Sequence, residues 1–261
     1  MARVSDKSPY GGAVEVARRT MTLFFLVDTS GSMDGSKIGT LNSAVEEVIP
    51  EIRKISGENA DAAIKIAVLE FSSGARWITP APMDAGNFEW NHLNADGLTD
   101  FGEMCRMLNE KLSRKAFMSD VAGSFAPAIF LLSDGEPTDE YQKELGKLKE
   151  NNWFKKSIKV AVAIGDDANK DVLAEFTGNK EAVITVHTPE ALTKMIRFVS
   201  VTASQIGSKS SSVGKGGVDQ ATNKQTDTIE AIKTTVSNDP SGGVEMANTP
   251  VEADNQEDWN W

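Results

Sequence analysis

The chain has 261 residues, of which 40% are hydrophobic, and carries a formal net charge of −11 with a pI near 4.8. This length suits one domain of about 200 residues with an appendage, and the acidic balance argues against nucleic-acid binding, which needs clustered Lys and Arg for its phosphate contacts. The single cysteine, Cys105, excludes an internal disulfide, and no Cys/His cluster suggests zinc.

Short apolar segments alternate with segments of helical periodicity between residues 15 and 206. This alternation is typical of parallel strands covered by helices on both faces. It predicts an α/β fold of Rossmann type, with three layers and a doubly wound, mainly parallel six-stranded sheet. We place the strands near 21–27, 63–72, 75–79, 127–133, 158–164 and 182–187.

The second and third predicted strands should form one antiparallel pair at an edge of the sheet. Only Ser73 and Gly74 separate them, which is too few residues for a helical crossover. Amphipathic helices are predicted over 38–55 and 101–112, where apolar residues recur at helical spacing. The last helix should begin after Thr188, its expected N-cap.

Residues 207–261 form a tail of different composition. They contain no Leu or Phe, and four lysines accompany nine acidic residues. The tail has fewer large apolar residues than a folded domain needs, and we therefore expect it to be largely disordered. Residues 1–14 are predicted to be an N-terminal extension, which leaves 15–206 as the domain.

A cytoplasmic location is expected. Arg18 and Arg19 precede an apolar segment, as in an export signal. Asp28 ends that segment after only about eight residues, which is short of a signal core or a membrane span.

Three polar clusters follow predicted strands, at 28–32 (DTSGS), 98–100 (LTD) and 133–135 (SDG). Ligands of open parallel sheets bind beyond the carboxyl ends of the strands, where the strand order reverses. Carboxylate and hydroxyl oxygens from three loops, without His or Cys, suit Mg²⁺, Mn²⁺ or Ca²⁺ rather than zinc.

The sequence resembles the von Willebrand factor A domain and its metal-ion-dependent adhesion site. The DxSxS…T…D pattern of that site is present, in order, as Asp28, Ser30, Ser32, Thr99 and Asp134. The resemblance implies that the two serines bind the ion directly, that the threonine does so directly or through water, and that the aspartates often act through water. An acidic residue of a partner protein would complete the shell. We therefore expect a non-enzymatic, divalent-metal-dependent protein-binding domain that contacts neither nucleic acid nor membrane.

Over residues 15–205 the chain is most similar to bacterial stand-alone A domains of the TerY type. The similarity rests on segments that include LVDTSGSM, DGLTDFGEM and LLSDGEPTD. It implies an adaptor or scaffold in a tellurite-resistance or stress-response system, with a Ser/Thr kinase and a PP2C-like phosphatase as partners.

An alternative is a Mg²⁺-dependent phosphatase of the haloacid dehalogenase type with Asp28 as its nucleophile. Ser133 and the acidic segment 165–169 imitate other parts of such a site. The general acid two residues after the nucleophile should be an aspartate, however, and this chain has Ser30. Without that proton donor the reaction would lose about 10²–10⁴-fold in rate, so the adaptor is favoured. We interpret 165–169 as a polar turn with Asn169 or a neighbour as helix cap.

Two further segments are candidate partner surfaces. In the long connection 80–98, Trp90 is either an exposed anchor or folds back to cover the sheet edge. At the C-terminus, Asp258, Trp259 and Trp261 either dock into a partner, supply a carboxylate to the metal, or belong to an inert tail.

Overall fold

The computed structural model describes residues 18–134, 136–165, 168–207, 219–238 and 243–246. The strands are β1 (Arg19–Asp28), β2 (Ala62–Ser72), β3 (Gly74–Trp77), β4 (Met83–Asp84), β5 (Ala128–Ser133), β6 (Ile158–Ile164), β7 (Val183–Val186) and β8 (Val244–Met246). The α-helices are α1 (Ser36–Glu58), α2 (Phe101–Lys111), α3 (Gln142–Glu150), α4 (Asn152–Lys156), α5 (Lys170–Thr177), α6 (Pro189–Gly207) and α7 (Asp219–Ser237). Short 3-10 helices cover Gly31–Met33 and Lys180–Ala182.

The strands form one mixed sheet in the order β3-β2-β1-β5-β6-β7-β8, with β4 also beside β2. The pairs that join β2, β1, β5, β6 and β7 are parallel, which confirms the mainly parallel fold. The predicted antiparallel hairpin of β2 and β3 is also present. Among the described residues the sheet has two strands more than the six predicted, and β8 makes the second edge antiparallel as well. With two and three residues, β4 and β8 are too short to show the alternation by which strands are predicted.

Helices cover both faces of the sheet. On one face α1 and α6 pack over a core that includes Phe25 and Phe130, and on the other α2, α3, α4 and α5 pack over a core that includes Phe24 and Phe101. Because successive strand residues point to opposite faces, β1 supplies side chains to both cores. The three-layer arrangement is thus confirmed. Within the described segments, no helix is both long and apolar enough to span a membrane.

The disorder predicted for 207–261 does not hold for the residues of this tail that the structure describes. The helix α7 packs on α6 and β6 with Ile229 and Ile232 buried, and β8 extends the sheet beyond β7. The tail's average composition conceals a local apolar stripe, since Ile229, Ile232 and Val236 recur on one helix face. The predicted extension 1–14 lies outside the described residues.

The strand order reverses between β1 and β5, which are neighbours in the sheet. At such a switch point the loops that follow the two strands diverge and leave a crevice at the carboxyl ends. The register pairs Val27 with Leu132, so the residues that follow, Asp28 and Ser133, lie side by side. Two of the three predicted polar clusters therefore meet at this crevice.

Candidate metal site

Asp28 ends β1 and is fully buried. Its Oδ1 atom accepts a hydrogen bond from the backbone N–H of Ser30 (2.9 Å), and its Oδ2 atom accepts one from the hydroxyl of Ser133 (2.6 Å). Burial raises the pKa of Asp28 above its usual range, although the bonds from Ser133 and Ser30 lower it; the charge of Asp134 adds to the rise. The carboxylate is therefore held in one orientation by two donors.

A chain of hydrogen bonds joins Ser30 and Ser32 to Asp134. The two serine hydroxyl oxygens are 3.0 Å apart, and the Ser32 hydroxyl donates to Oδ1 of Asp134 over 2.8 Å. Oδ2 of Asp134 accepts a hydrogen bond from the ammonium group of Lys37, with which it forms an ion pair. Ser30 and Asp134 are buried whereas Ser32 is exposed, so the cluster opens to solvent at Ser32.

Thr99 lies on a loop that is tied to the other two through the backbone. Its N–H donates to the hydroxyl of Thr138 (3.0 Å), and its carbonyl accepts from the Thr138 N–H (2.9 Å). Two residues before Thr99, the carbonyl of Gly97 accepts from the N–H of Gly31 (3.0 Å). The structure thus brings the loops of all five predicted ligands to one end of the sheet.

Gly97 permits this close approach of the loops. Its φ angle is +86°, and a Cβ atom at this position would lie 2.6 Å from the hydroxyl oxygen of Ser73. That oxygen already accepts a hydrogen bond from the N–H of Leu98 (3.0 Å). Because only glycine combines this conformation with this clearance, Gly97 positions the Thr99 loop although it supplies no ligand.

The donor set fits a hard divalent cation. It consists of carboxylate and hydroxyl oxygens, which are the ligands that Mg²⁺ and Ca²⁺ take. In the part of the chain that the structure describes, no group of three or more His, Cys, Asp or Glu side chains could hold a metal, so a site here depends on its hydroxyls. The ammonium group of Lys37 against Asp134 shows that the cluster already attracts positive charge.

The surroundings of the cluster differ in charge from side to side. Towards α1 and α6 lies a cavity of about 180 Å³, whose polar lining includes Ser36, Lys37, Thr40, His187 and Thr188. Towards α2 lies a cavity of about 520 Å³, whose lining includes Asp100, Glu103, Arg106, Asp139, Glu140 and Glu144. The α2 side is therefore strongly acidic, whereas a lysine lines the α1 side.

The 80–98 connection folds back onto the domain. Phe88 is buried and Trp90 is half-buried, and the indole N–H of Trp90 donates to the side-chain oxygen of Asn42 on α1 (3.0 Å). The same side chain bonds both backbone polar groups of Leu93 (2.9 and 2.8 Å). Trp90 thus folds back onto the domain, where its indole contacts α1, while a partner contact at Trp90 stays a prediction.

Five other residues that the sequence singled out lie outside the described segments: Asp166, Asp167, Asp258, Trp259 and Trp261. Asn169 is the N-cap of α5, since its side-chain oxygen accepts from the N–H of Val172 (3.2 Å). This contact confirms the capping interpretation of that residue.

Two residues in the cluster were not predicted as parts of a metal site. Ser133 belonged to the predicted polar cluster 133–135 and to the phosphatase alternative, but it was not among the five predicted ligands; its position at the end of β5, level with Asp28 in β1, could have indicated the contact. Lys37 follows Ser32 by five residues but pairs with Asp134, which is 97 residues further along the chain. No local pattern in the sequence reveals that pairing.

Several solved structures share this fold. A von Willebrand factor type A protein from Catenulispora acidiphila has 18% identity and a TM-score of 0.52, with 70% of this chain and 42% of that chain covered. Proximal thread matrix protein 1 from the mussel byssus, with a zinc-occupied MIDAS motif, has 18% identity and a TM-score of 0.53, with 71% and 49% covered. A mutant of the PilB minor pilin from Streptococcus sanguinis has 16% identity and a TM-score of 0.51, with 74% and 63% covered. The chain thus spans less than two thirds of each of these proteins, and at such identities the likeness shows the fold alone.

The sequence comparisons define the family. No curated protein sequence gave a significant match. The family model for the von Willebrand factor type A domain matches residues 22–198, a segment that runs from β1 into α6 and contains all five candidate ligands. Because this match covers more than half of the chain, the chain belongs to the von Willebrand factor type A domain family.

Proposed function

We propose that this domain binds a partner protein through a divalent cation held by Asp28, Ser30, Ser32, Thr99 and Asp134. One observation carries the proposal: hydroxyl and carboxylate groups from loops 102 residues apart form a single hydrogen-bonded cluster at the switch point of the sheet. The family to which the chain belongs uses metal sites of this kind in protein interaction.

Mg²⁺ is the cation that we propose, with Mn²⁺ and Ca²⁺ as alternatives, because the donors are hard oxygens. Bound at this cluster, the ion would supply a concentrated positive charge and a coordination position for a carboxylate from another protein. Ser30 and Ser32 contribute neutral oxygens, so the negative charge among the five proposed ligands comes from Asp28 and Asp134 alone. The zinc-occupied site of the mussel byssus protein supports divalent-ion binding in this fold.

The exposed rim of the cluster favours contact with another protein. Ser32 is exposed, and Leu98, next to Thr99, is 58% exposed. An acidic residue of the partner would reach the ion past Ser32, and an apolar residue would cover Leu98. The acidic lining of the α2 cavity would repel the carboxylate of the partner's acidic residue. That residue should therefore approach the ion from the α1 side.

We propose no catalytic role for the site. A phosphatase nucleophile must present a carboxylate oxygen to the phosphorus atom. Asp28 is buried and both of its oxygens accept hydrogen bonds, while Ser30 occupies the position where the phosphatase needs an acid. These observations favour the adaptor over a phosphatase of the haloacid dehalogenase type.

The biological setting that we propose is a bacterial, cytoplasmic stress-response system of the tellurite-resistance type. The similarity of three segments around the candidate ligands to A domains of the TerY type supports it. In that setting a Ser/Thr kinase and a PP2C-like phosphatase would be the partners, and Trp90, Asp258, Trp259 and Trp261 would be further contacts.

The test combines metal binding with metal-dependent capture. Calorimetric titration of the full chain with MgCl₂ or MnCl₂ should show one site that Asp28→Ala abolishes. Ser36→Ala, which changes an exposed serine at the start of α1, should leave that site intact. Affinity capture from a bacterial lysate should recover the same partner in Mg²⁺ but not in EDTA, and not with Asp28→Ala.

A partner recovered equally in all of these conditions would refute metal bridging. Hydrolysis of a generic phosphoester that is lost in Asp28→Ala would favour the phosphatase instead. Circular dichroism of Asp28→Ala distinguishes loss of the site from loss of the fold.

A further inference from the structure

We infer that Lys37 competes with the divalent cation for Asp134 and thereby lowers the metal affinity of the site. The inference rests on the proposed function, because it concerns the same five ligands. It assigns a role to a residue outside the DxSxS…T…D pattern.

Both carboxylate oxygens of Asp134 already accept hydrogen bonds. Its side chain has no exposed surface, Oδ1 accepts from Ser32, and Oδ2 accepts from the ammonium group of Lys37. Any cation that Asp134 helps to hold, directly or through water, must share this carboxylate with a positive charge that is already there. The ammonium group of Lys37 and a cation bound at the same carboxylate would repel each other. This repulsion is stronger where water is partly excluded.

Lys37 lies at an unfavourable position in its helix. It is the second residue of α1, in a first turn that contains no acidic residue. A cation at a helix N-terminus is opposed by the helix dipole, so α1 itself does not stabilise a lysine at this position. The ion pair with Asp134 offsets this unfavourable placement.

Lys37 has space around its side chain. Its side chain is 27% exposed and lines the cavity of about 180 Å³ between α1 and the ends of β6 and β7. The ammonium group can therefore leave Asp134 for solvent without unpacking the core. An incoming ion displaces a movable side chain rather than a fixed one.

The chain contains a matched control pair. Lys65 also has a side chain that is 27% exposed, and its ammonium group lies 3.1 Å from Oδ2 of Asp120. Lys65 pairs with Thr22 in the register of β2 and β1, six residues before Asp28. Lys65→Met therefore removes the ion pair of an equally exposed lysine away from the metal site, although the side chain of its partner Asp120 is 22% exposed and that of Asp134 has no exposed surface.

The experiment is calorimetric titration of the full chain with MgCl₂ and MnCl₂, using wild type, Lys37→Met, Lys37→Arg and Lys65→Met. Lys37→Met should bind both ions about three- to tenfold more tightly than wild type. Lys37→Arg, which keeps the charge, and Lys65→Met should stay within about twofold of wild type. Thermal unfolding of each variant checks the fold.

A second measurement needs no substitution. Acylation of wild-type lysines by an N-hydroxysuccinimide ester, followed by mass spectrometry, should label Lys37 faster in MgCl₂ than in EDTA. Labelling of Lys65 should not change. A rate at Lys37 that Mg²⁺ leaves unchanged or lowers would contradict displacement.

The titrations separate this inference from the proposed function. Equal or weaker binding by Lys37→Met, with clear binding by wild type, would overturn competition while leaving the metal site in place. If neither wild type nor Lys37→Met binds the ions, both the competition by Lys37 and the proposed metal site would be overturned.

Discussion

Replacing Ser133 by alanine removes the hydroxyl that donates to Oδ2 of Asp28 over 2.6 Å. Both residues are buried, so water cannot readily replace the lost donor. A hydrogen bond to a charged group contributes about 1.5–3 kcal/mol, and we expect the free energy of unfolding to fall by that amount. Urea denaturation at neutral pH measures it.

The same substitution should weaken metal binding. The bond from Ser133 is among the contributions that lower the pKa of Asp28 against the rise caused by burial. Without it the pKa rises further, so protons compete better with the cation for this carboxylate. The loss of Mg²⁺ affinity in Ser133→Ala should therefore grow as the pH falls, which calorimetric titrations at several pH values would show.

Ser204→Ala is the control for this prediction. Ser204 is equally buried and donates over the same distance, 2.6 Å, but to the backbone carbonyl of Ser200 in α6. It should cost less stability than Ser133→Ala and leave metal affinity unchanged. Equal effects of the two substitutions on stability and on Mg²⁺ affinity would refute a specific role for Ser133 in holding Asp28.

Two further predictions test other parts of the structure. Ile232 in α7 has no exposed surface, so Ile232→Ala should lower the free energy of unfolding by about 2–5 kcal/mol; an unchanged urea midpoint would show that α7 does not pack on the domain. The ammonium group of Lys159 donates to the carbonyls of Phe154 and Ser157, and burial lowers its pKa from 10.5 to about 8. Between these two pH values Lys159 is therefore protonated in the unfolded chain and largely unprotonated in the folded chain. Stability rises with pH across that window, and wild type should gain about 2 kcal/mol relative to Lys159→Met between pH 7 and pH 9.5. A difference independent of pH would contradict the lowered pKa.

The parts of the fold that could be predicted are those with long, regular apolar patterns. The strand β1 contains an uninterrupted apolar segment from Leu23 to Val27 because helices cover both of its faces, and such a segment is recognisable without its neighbours. The order of strands along the chain then places Asp28 and Asp134 at carboxyl ends. The polar clusters at the strand ends could therefore be predicted from local sequence and topology, and the resemblance to the A-domain pattern singled out the five candidate ligands within them.

The tail shows why composition fails as a local predictor. Averaged over 207–261, large apolar residues are too few for a domain core, but α7 needs only one buried stripe because α6 and β6 supply the opposing surface. The strand β8 depends even more on context, since it is stabilised by pairing with β7. The average composition of the tail therefore predicts neither element, because each is completed by the domain on which it packs.

The charges around the ligands explain why the partner's group should be acidic. Asp134 is close enough to Asp28 for its charge to raise the pKa of Asp28, and Lys37 pairs with Asp134. A dication would neutralise the two carboxylates, and Lys37, displaced but still tethered at the start of α1, would leave one unit of positive charge at the rim. A single carboxylate from the partner restores neutrality, whereas a neutral ligand does not. Lys37 would then oppose binding of the cation in the absence of the partner, and would favour the partner's acidic residue once the cation is bound. Lys37→Met should therefore bind Mg²⁺ more tightly, but its binding of the partner should depend less on the partner's acidic residue.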